Sequence, residues 1–508
     1  MNKTAALSII LAIPLAISCG GERDSAGDGS EPMVIAFDSS PTNLDARVGN
    51  DQNSGRIFDL AYSGLVKLAP DGTYLPDVAE SWDIQDQKIT FNIRQGLKFH
   101  DGSDLTAADV KYTYDTVMDP DFPGPKGPGY AEVASVETPD DKTVVFNLKS
   151  INAGIFDNLT LGIVPEGSDP DNLSTQPVGA GPYKVTSFRR DDRVELEAFD
   201  QYWNGAPAIR NLVVRVIPDA TTRTLELQTG SIDFAINTVP LDRVARFEQD
   251  DQFRVVAEPG SQYQYLAFNL KTKQLADVRV RRAIAHAIDR ERIIRDLLQG
   301  YGKVTETLFP EGHWAHADGL TAYSFDPATA KQLLDQAGFR DPDGDGPQKR
   351  FDLTYKTSTD PEARRQAEMI QQMLSQVGIG IDIQSNEFGT FYEDVQKGKF
   401  DLFSLRRAGV NDPDFYTFMF SSENFPPEGQ NRGYYANTRV DELLAQGRST
   451  WDQTERAGIY KEVQKILAEE LPYISLYHRY NVAIMKSDLE GFEMYPSGFI
   501  LSIPDMHR

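Results

Sequence analysis

Apolar and polar residues alternate along several short stretches of the chain, and a period of two is typical of half-buried β-strands. One such stretch is centred on Phe91, where Ile89 and Ile93 share a side and polar residues occupy the positions between them. Strands are also predicted at residues 33–37, 143–148, 194–197, 213–216, 263–269 and 400–403. The pattern therefore predicts a fold with many short strands.

Helical spacing of apolar residues marks a second kind of element. Residues 361–377 place their apolar side chains on one face, and Gly378 follows as the predicted end of that helix. A strand is predicted before this helix at 351–355 and another after it at 379–383. A strand–helix–strand unit of this kind requires two parallel strands joined by a right-handed crossover. This part of the chain is therefore predicted to be α/β.

The stretch from Tyr62 to Val110 combines turns, a strand and the start of a helix. Asp71-Gly72 is a turn dipeptide between apolar runs. Thr106 is placed as the N-cap of a helix that begins at Ala107, and Asp289 is placed in the same way further along the chain. None of these residues forms an arrangement suited to catalysis.

Length and charge limit the class of protein. A chain of 508 residues is too long for one hydrophobic core, so we expect about three domain-sized units. The 51 Lys and Arg residues against 76 Asp and Glu residues give a formal net charge of −25. Nucleic-acid binding requires a basic surface, so this balance argues against a nucleic-acid partner. An acidic, soluble surface accounts for the charge.

Residues 1–19 have the pattern of an export signal. Lys3 precedes an apolar segment that is shorter than the ~20 residues of a membrane-spanning helix. Cys19, the one cysteine of the sequence, resembles the acylated cysteine of bacterial lipoproteins, although Ala16 stands where leucine is usual. Residues 20–30 are small and polar, as in a flexible tether. We expect a lipid on Cys19; ordinary signal cleavage that leaves a free thiol is the alternative.

Ordered motifs between Tyr62 and Val110 resemble one protein family. They are G-L-V-x-L followed by D-G and P-x-x-A-E-S-W, then T-F-x-I-R-x-G-x-K-F-H-D-G, then L-T-A-x-D-V. This order resembles solute-binding protein family 5 of ABC importers, the dipeptide- and oligopeptide-binding proteins. Further matches, among them V-G-A-G-P-Y at 178–183, extend the resemblance from residue 33 to residue 499.

The resemblance implies an α/β fold of the class II periplasmic-binding-protein type, in which hinged lobes surround a cleft. Domain I would be discontinuous and comprise residues 31–62, 179–265 and 481–508. Domain II would be the insertion 63–178, and domain III would comprise residues 266–480. Closure about a hinge is the motion that periplasmic binding proteins use.

The same resemblance implies an exported receptor that captures a peptide or a related small solute and delivers it to the permease subunits of an ABC importer. It would be a monomer on the periplasmic or cell-surface side, anchored through Cys19, and neither an enzyme nor dependent on a cofactor. A non-peptide ligand (an anionic metabolite, a chelated metal or an oligosaccharide) and a sensor that feeds no importer are alternatives. A secreted hydrolase is another, although the sequence holds no G-x-S-x-G, P-loop or H-E-x-x-H motif.

Two segments are implied to contact the ligand through their backbone. Leu44-Asp45 resembles the family's L-D-P loop, and Val48 and Gly49 follow it. An ordinary loop is the alternative there. The strand around Tyr265 resembles the strand that leads into domain III. Main-chain hydrogen bonds of this kind hold extended peptides and leave specificity to side-chain pockets.

The segment from Leu405 to Phe415 departs from the family pattern W-x-A-D-Y-x-D-P. Alignment on Asp412 places Gly409 where peptide-binding relatives carry the aspartate that holds the peptide's α-ammonium, so that anchor is missing. Arg406 and Arg407 instead bring positive charge towards the expected cleft and are candidates for holding a carboxylate. Pairing of both arginines with the acidic surface is the alternative.

One loop has the spacing of a calcium site. It supplies carboxylates at loop positions 1, 3 and 5, which are Asp341, Asp343 and Asp345. Lys349 at position 9 and Asp352 in place of the bidentate glutamate at position 12 weaken the match, so a turn without metal is expected and structural calcium is the alternative. His313 and His316 form an H-x-x-H pair, but two ligands do not make a metal site.

Overall fold

The structure, a computed structural model, describes residues 31–344, 346–427 and 429–508, and residues 32–508 belong to one structural unit. Its strands are β1 (Met33–Phe37), β2 (Val66–Leu68), β3 (Tyr74–Pro76), β4 (Ala79–Gln85), β5 (Lys88–Ile93), β6 (Val133–Asp140), β7 (Thr143–Leu148), β8 (Tyr183–Arg189), β9 (Arg193–Ala198), β10 (Asn211–Val216), β11 (Phe234–Ile236), β12 (Phe253–Phe268), β13 (Gly302–Val304), β14 (Phe351–Ser358), β15 (Ile379–Asn386), β16 (Leu402–Arg407) and β17 (Tyr473–Lys486). Its α-helices are α1 (Gln52–Ala61), α2 (Ala107–Met118), α3 (Ile155–Asn158), α4 (Pro170–Leu173), α5 (Ala220–Gln228), α6 (Leu241–Glu248), α7 (Val278–Ala287), α8 (Arg290–Leu297), α9 (Pro327–Gln336), α10 (Pro361–Ser375), α11 (Phe388–Gln396), α12 (Phe415–Phe420), α13 (Thr438–Arg448) and α14 (Gln453–Glu470). Short 3-10 helices occupy Gly127–Tyr130 and Ile503–Asp505.

The predicted strand–helix–strand unit is confirmed. β14 and β15 pair in parallel, from Phe351 opposite Ile379 to Ser358 opposite Asn386, and α10 connects them. The predicted helix starts are confirmed as well, because Thr106 and Asp109 form a capping box at α2 and Asp289 accepts from the amide of Arg292 at α8.

Two strands are longer than the sequence pattern predicts. β12 begins at Phe253, ten residues before the predicted start at Tyr263. The pattern misses its first half because Pro259 and Gly260 break the alternation of polar and apolar residues. β16 continues through Arg407, so Arg406 and Arg407 are strand residues, each opposite a residue of β12.

One large sheet runs through most of the molecule in the order β15-β14-β16-β12-β17-β11-β1-β10-β9-β8, with β13 paired to β17. β12 and β17 are antiparallel and occupy its centre. β17 pairs with β11 through residues 483–485, whereas β12 pairs with β16 through residues 263–268. The two central strands therefore join the two wings of the sheet.

The pairing of β12 with β17 is irregular where the two wings meet. The register shifts between Pro259 and Gln262. Gly260 lies inside this bulge, and a Cβ atom there would approach the carbonyl oxygen of Arg479 to 2.9 Å. Glycine is the residue that fits so close an approach of two backbones.

The smaller sheets belong to residues 66–148. β2 and β3 form a hairpin, and β4, β5, β7 and β6 form a four-stranded antiparallel sheet in that order. This sheet shares a hydrophobic core with β1 and the C-terminal segment, while residues 263–477 contribute two further cores. The candidate site lies where these groups of residues face each other.

Candidate functional site

A cavity of about 390 Å³ separates residues 128–158 from residues 409–418. One wall comes from the 3-10 helix and α3, and the other from the loop after β16 and from α12. Two predicted site residues, Gly409 and Asp412, line it. We call it the 409 cavity.

Gly409 supplies backbone freedom rather than a side chain. Its φ is +69°, and a Cβ atom would meet no other atom within 4 Å. The left-handed backbone favours glycine. Where an amine-binding aspartate would have projected, the wall of the cavity is open.

Asp412 is engaged by a neighbouring arginine. Its oxygens lie 2.8 and 3.0 Å from the Nη2 and Nη1 atoms of Arg456, and both side chains are 6% exposed. Burial raises the pKa of Asp412, and the charge of Arg456 acts in the opposite direction. A buried bidentate pair of this kind holds structure together.

The two predicted arginines differ in their surroundings. Arg406 is exposed and lies 3.4 Å from Glu362, which also pairs with Arg479 at 2.7 Å. Arg407 donates to the side chain of Gln430 at 2.7 Å, and its guanidinium lies 5.5 Å from the ring centre of Phe415, a residue of the 409 cavity. Arg407 is thus the arginine closer to the cleft.

The loop with Val48 and Gly49 supports the cleft from behind. Both amides donate to the carbonyl oxygen of Asp45, at 3.0 and 2.9 Å. A Cβ atom at Gly49 would come within 2.6 Å of the ring of Phe58, so the loop packs tightly on α1. The two amides are therefore engaged within the loop itself.

Tyr265 is 1% exposed and packs in an aromatic stack. Its ring centre lies 4.9 Å from that of Tyr473 and 5.5 Å from that of Tyr263. Its backbone pairs with Leu405 of β16 and Ser475 of β17. The side chain of Tyr265 therefore belongs to the core beneath the cleft.

A second cavity, of about 120 Å³, was not predicted from the sequence. Its lining includes Phe58 and Asp59 of α1 and Tyr62 directly after that helix, and Asp157 and Asn411 lie on both cavities. We call it the α1 cavity. The one hint of this cavity in the sequence is Asp59, an aspartate beside the apolar face of α1. The sequence pattern does not reveal that residues 499–501 cover this aspartate.

Burial changes the acidity of the carboxylates in the α1 cavity. It raises the pKa of Asp59 to about 8 and that of Asp157 to about 6. Asp157 accepts a hydrogen bond from the Nδ2 atom of Asn411 at 2.9 Å, and Asp59 accepts one from the amide of Ile500 at 3.0 Å.

The H-x-x-H pair stands at a contact across the cleft. The Nε2 atom of His313 lies 3.0 Å from the carbonyl oxygen of Asn411. Next to it, Trp314 donates from its amide to Asp71 and from its indole to Gly72, at 2.9 and 3.1 Å. Across the described ranges, no group of three or more His, Cys, Asp or Glu side chains is placed to hold a metal ion. Trp314 therefore joins residues 309–316 to the β2–β3 hairpin, and His313 joins them to Asn411.

The family assignment follows from sequence. The profile of the bacterial extracellular solute-binding proteins, family 5 Middle, matches residues 73–426. The chain belongs to this family.

Curated relatives and solved structures resemble this family 5 protein over almost all of its length. The oligopeptide-binding protein AppA of Bacillus subtilis is 29% identical, with 99% of this chain and 98% of AppA covered. The glutathione-binding protein GsiB of Salmonella typhi is 30% identical, with 94% of this chain and 95% of GsiB covered. The structure of HbpA2 from Haemophilus parasuis has a TM-score of 0.84 at 26% identity, and the match covers 94% of this chain and 99% of HbpA2. The α/β fold of family 5 periplasmic binding proteins, predicted from the resemblance, is confirmed.

Two predictions for this family 5 protein concern loops or termini. Asp341 lies 3.7 Å from Arg350, and Asp343 accepts from the amide of Gln348, while Asp345 is outside the described residues. The turn without metal stays a prediction, with calcium binding as its alternative. Cys19 and residues 1–30 also lie outside the described residues. Within the described part, no helix is both long and apolar enough to cross a membrane.

Proposed function

We propose that the protein captures a peptide or a related small solute in the cleft and delivers it to the permease subunits of an ABC importer. The observation that carries this proposal is the 409 cavity, of about 390 Å³, in a chain whose full-length relatives are named as oligopeptide- and glutathione-binding proteins. Pockets for small ligands measure about 300–1,000 Å³, so the cavity suits a short peptide or part of a longer one. These relatives are named as binding proteins, which favours a receptor over a hydrolase.

Capture would involve movement of domain III, residues 266–480, against domain I. Domain I would comprise residues 31–62, 179–265 and 481–508, with domain II (63–178) attached to it. The central strands β12 and β17 pass from one domain to the other, and their irregular pairing between Pro259 and Gln262 supports a bend at that point.

The 409 cavity offers two kinds of contact to a peptide. Its wall at residues 409–412 presents backbone groups, which suit main-chain hydrogen bonds to an extended ligand. Phe415 and Phe418 supply apolar surface, and Arg407 beside Phe415 is our candidate partner for a carboxylate of the ligand.

The receptor would act outside the cytoplasm as a monomer held to a membrane by a lipid on Cys19. The apolar segment before Cys19 and the polar residues 20–30 after it support this arrangement. Replacing Cys19 by Ser should release the protein from the membrane fraction. Membrane retention of the variant would argue against the lipid.

Native mass spectrometry tests the receptor role directly. The protein is purified without denaturation, and its cargo is released and identified; the emptied protein is then offered a peptide library. We expect an added mass that matches an unaltered peptide, and a more compact small-angle scattering profile after binding. Cleaved peptides, or scattering profiles that superimpose with and without every retained solute, would overturn the proposal.

A further inference from the structure

The α1 cavity is lined by more acidic than basic side chains. Its lining residues include three aspartates and one lysine, which are Asp59, Asp77, Asp157 and Lys67. Two of the aspartates have side-chain partners: Asp77 accepts from the indole of Trp203 at 2.8 Å, and Asp157 accepts from Asn411 at 2.9 Å. Asp59 receives only the amide of Ile500, through Oδ2, from the described residues. One carboxylate in the cavity therefore retains acceptor capacity.

Among the described residues, no cation is in direct contact with Asp59, although the charge of the buried Arg56 acts on it from the same helix. Arg56, on the same helix, donates to Asn53 at 3.2 Å and lies 5.5 Å from the ring centre of Phe37. Burial raises the pKa of Asp77 to about 6, and the charge of Lys67, on the β2 side, acts in the opposite direction. Within the described ranges, no Lys, Arg or His nitrogen comes within 4.0 Å of Asp59 in an ion pair.

The walls next to Asp59 are aromatic. Phe58 precedes it on α1, Tyr62 directly follows that helix, and Phe499 comes from the C-terminal segment. The volume of about 120 Å³ exceeds the ~10–15 Å³ that one water requires, so there is room for a small organic group. Aromatic rings beside a carboxylate attract compact cations through their negative faces.

We propose that the α1 cavity binds a positively charged group of the ligand, a primary ammonium, with Asp59 as its carboxylate partner. This inference rests on the proposed receptor function. An ammonium would donate a charge-assisted hydrogen bond to Asp59. Burial favours the protonated form of this carboxyl, and a cation of the ligand would favour the ionised form.

The proposed site also provides a carboxylate for the ligand's ammonium, which the chain lacks at Gly409. The α1 cavity and the 409 cavity share Asp157 and Asn411. The two cavities are therefore neighbours, and in our proposal a peptide whose ammonium lies at Asp59 extends past the Asp157–Asn411 pair into the 409 cavity. In this arrangement the carboxylate for the amine comes from helix α1, and the loop after β16 contributes backbone.

The experiment compares two ligand pools and three proteins. An arginine-free tetrapeptide library is offered to the protein either unmodified or with all amino groups acetylated, and retained peptides are quantified by mass spectrometry. The proteins are the wild type, Asp59→Asn and Asp104→Asn. Asp59→Asn keeps an acceptor for the Ile500 amide. Asp104, whose side chain is 69% exposed beside Lys98, is the charge-matched control.

We expect the wild type and Asp104→Asn to retain free-amine peptides, and Asp59→Asn to bind them at least tenfold more weakly, or about 1.4 kcal/mol. Acetylated peptides should bind weakly to all three. Equal retention of both pools by the wild type, or equal binding by Asp59→Asn, would overturn the inference and leave the receptor role intact. Retention of neither pool would overturn the proposed peptide ligand and, with it, this inference.

Calorimetry gives a second readout that a purely structural role would not change. Burial holds the pKa of Asp59 near 8, with Arg56 on its helix and Tyr495, Asp77, Asp157 and Lys67 around the cavity. An ammonium favours the ionised carboxylate, so binding near pH 7 should release up to about one proton. Titrations in buffers of different ionisation enthalpy measure that proton. We expect proton release on binding to the wild type and none on binding to Asp59→Asn. Identical proton release by both proteins would contradict the role of Asp59.

Discussion

The aspartates on the two walls of the cleft have different kinds of partner. On the domain III wall, Asp412 pairs with Arg456 and Asp414 pairs with Arg448, both at 2.8 Å. On the α1 wall, Asp59 has a backbone amide as its partner. The paired aspartates fix the loop after β16, whereas Asp59 has no direct ion pair and keeps acceptor capacity for the ammonium that we propose. The partners of each carboxylate, more than its position along the cleft, therefore distinguish a structural aspartate from a candidate ligand contact.

The largest effect should follow from removing one partner of an ion pair on the domain III wall. Replacing Arg456 by Ala leaves Asp412 buried without a cation, and loss of one partner of a buried ion pair costs about 3–5 kcal/mol. We expect the free energy of unfolding, measured by urea denaturation, to fall by that amount. Binding should weaken too, since residues 409–412 line the 409 cavity.

The matched control is Arg439→Ala. Arg439 pairs with Glu462 at 2.9 Å at the surface, where water screens both charges, so the unfolding curve should barely change. Equal losses of stability in the two variants would show that the burial of the Arg456 pair has no special role.

The stability that Asp59 contributes on the α1 wall should depend on pH. Burial raises the pKa of Asp59 from 3.8 to about 8 in the folded protein. The folded state therefore holds this proton more tightly, and the stability that it contributes is complete below pH 3.8 and lost as the pH rises through 8. The Asp59→Asn variant has no titratable group at this position, so it does not lose this stability as the pH rises. Its free energy of unfolding relative to the wild type should rise by about 1–3 kcal/mol between pH 5 and pH 8.

Urea denaturation at both pH values measures that difference. Asp104→Asn, which removes an exposed carboxylate, should keep a constant difference from the wild type. Parallel pH profiles for wild type and Asp59→Asn would mean that the carboxylate is not perturbed and would remove the contrast between the walls.

A smaller effect is expected at Gly409. Its φ of +69° disfavours a side chain although the space is open, so Gly409→Ala should lower the free energy of unfolding by about 1 kcal/mol. Gly458 offers the opposite case, since it lies within α14 and also has open space around it. Gly458→Ala should stabilise by about 0.5–1 kcal/mol. Thermal unfolding of both variants gives the two signs; the same sign in both would contradict the backbone argument.

Local patterns were sufficient to predict much of the fold. Alternation around Phe91 and the β14–α10–β15 unit were predicted because side-chain period depends only on neighbours in sequence. The first half of β12 was missed, since Pro259 and Gly260 hide a strand that is held by its long-range partner β17. Local signals do not report such pairing.

The site was predictable in part. The segment 406–412 was named from the sequence, and Gly409 and Asp412 line the 409 cavity. The partner of Asp412 lies 44 residues further on, at Arg456, so the pair has no local signal. The same reason hides the α1 cavity, whose residues 59, 157, 411 and 500 come together only in the folded chain.

The smallest effect should come from Arg406, which sharpens the comparison between exposed and cleft-lining charge. Its side chain is 46% exposed, and its partner Glu362 is already paired with Arg479. Arg406→Ala should therefore change stability by less than about 1 kcal/mol and leave peptide binding unaltered by calorimetry. Arg407→Ala is the matched variant, because Arg407 packs on Phe415 in the 409 cavity. A tenfold loss of affinity in Arg406→Ala would instead support the hypothesis that this arginine holds an anionic group of the ligand, and would move the binding surface outward along β16.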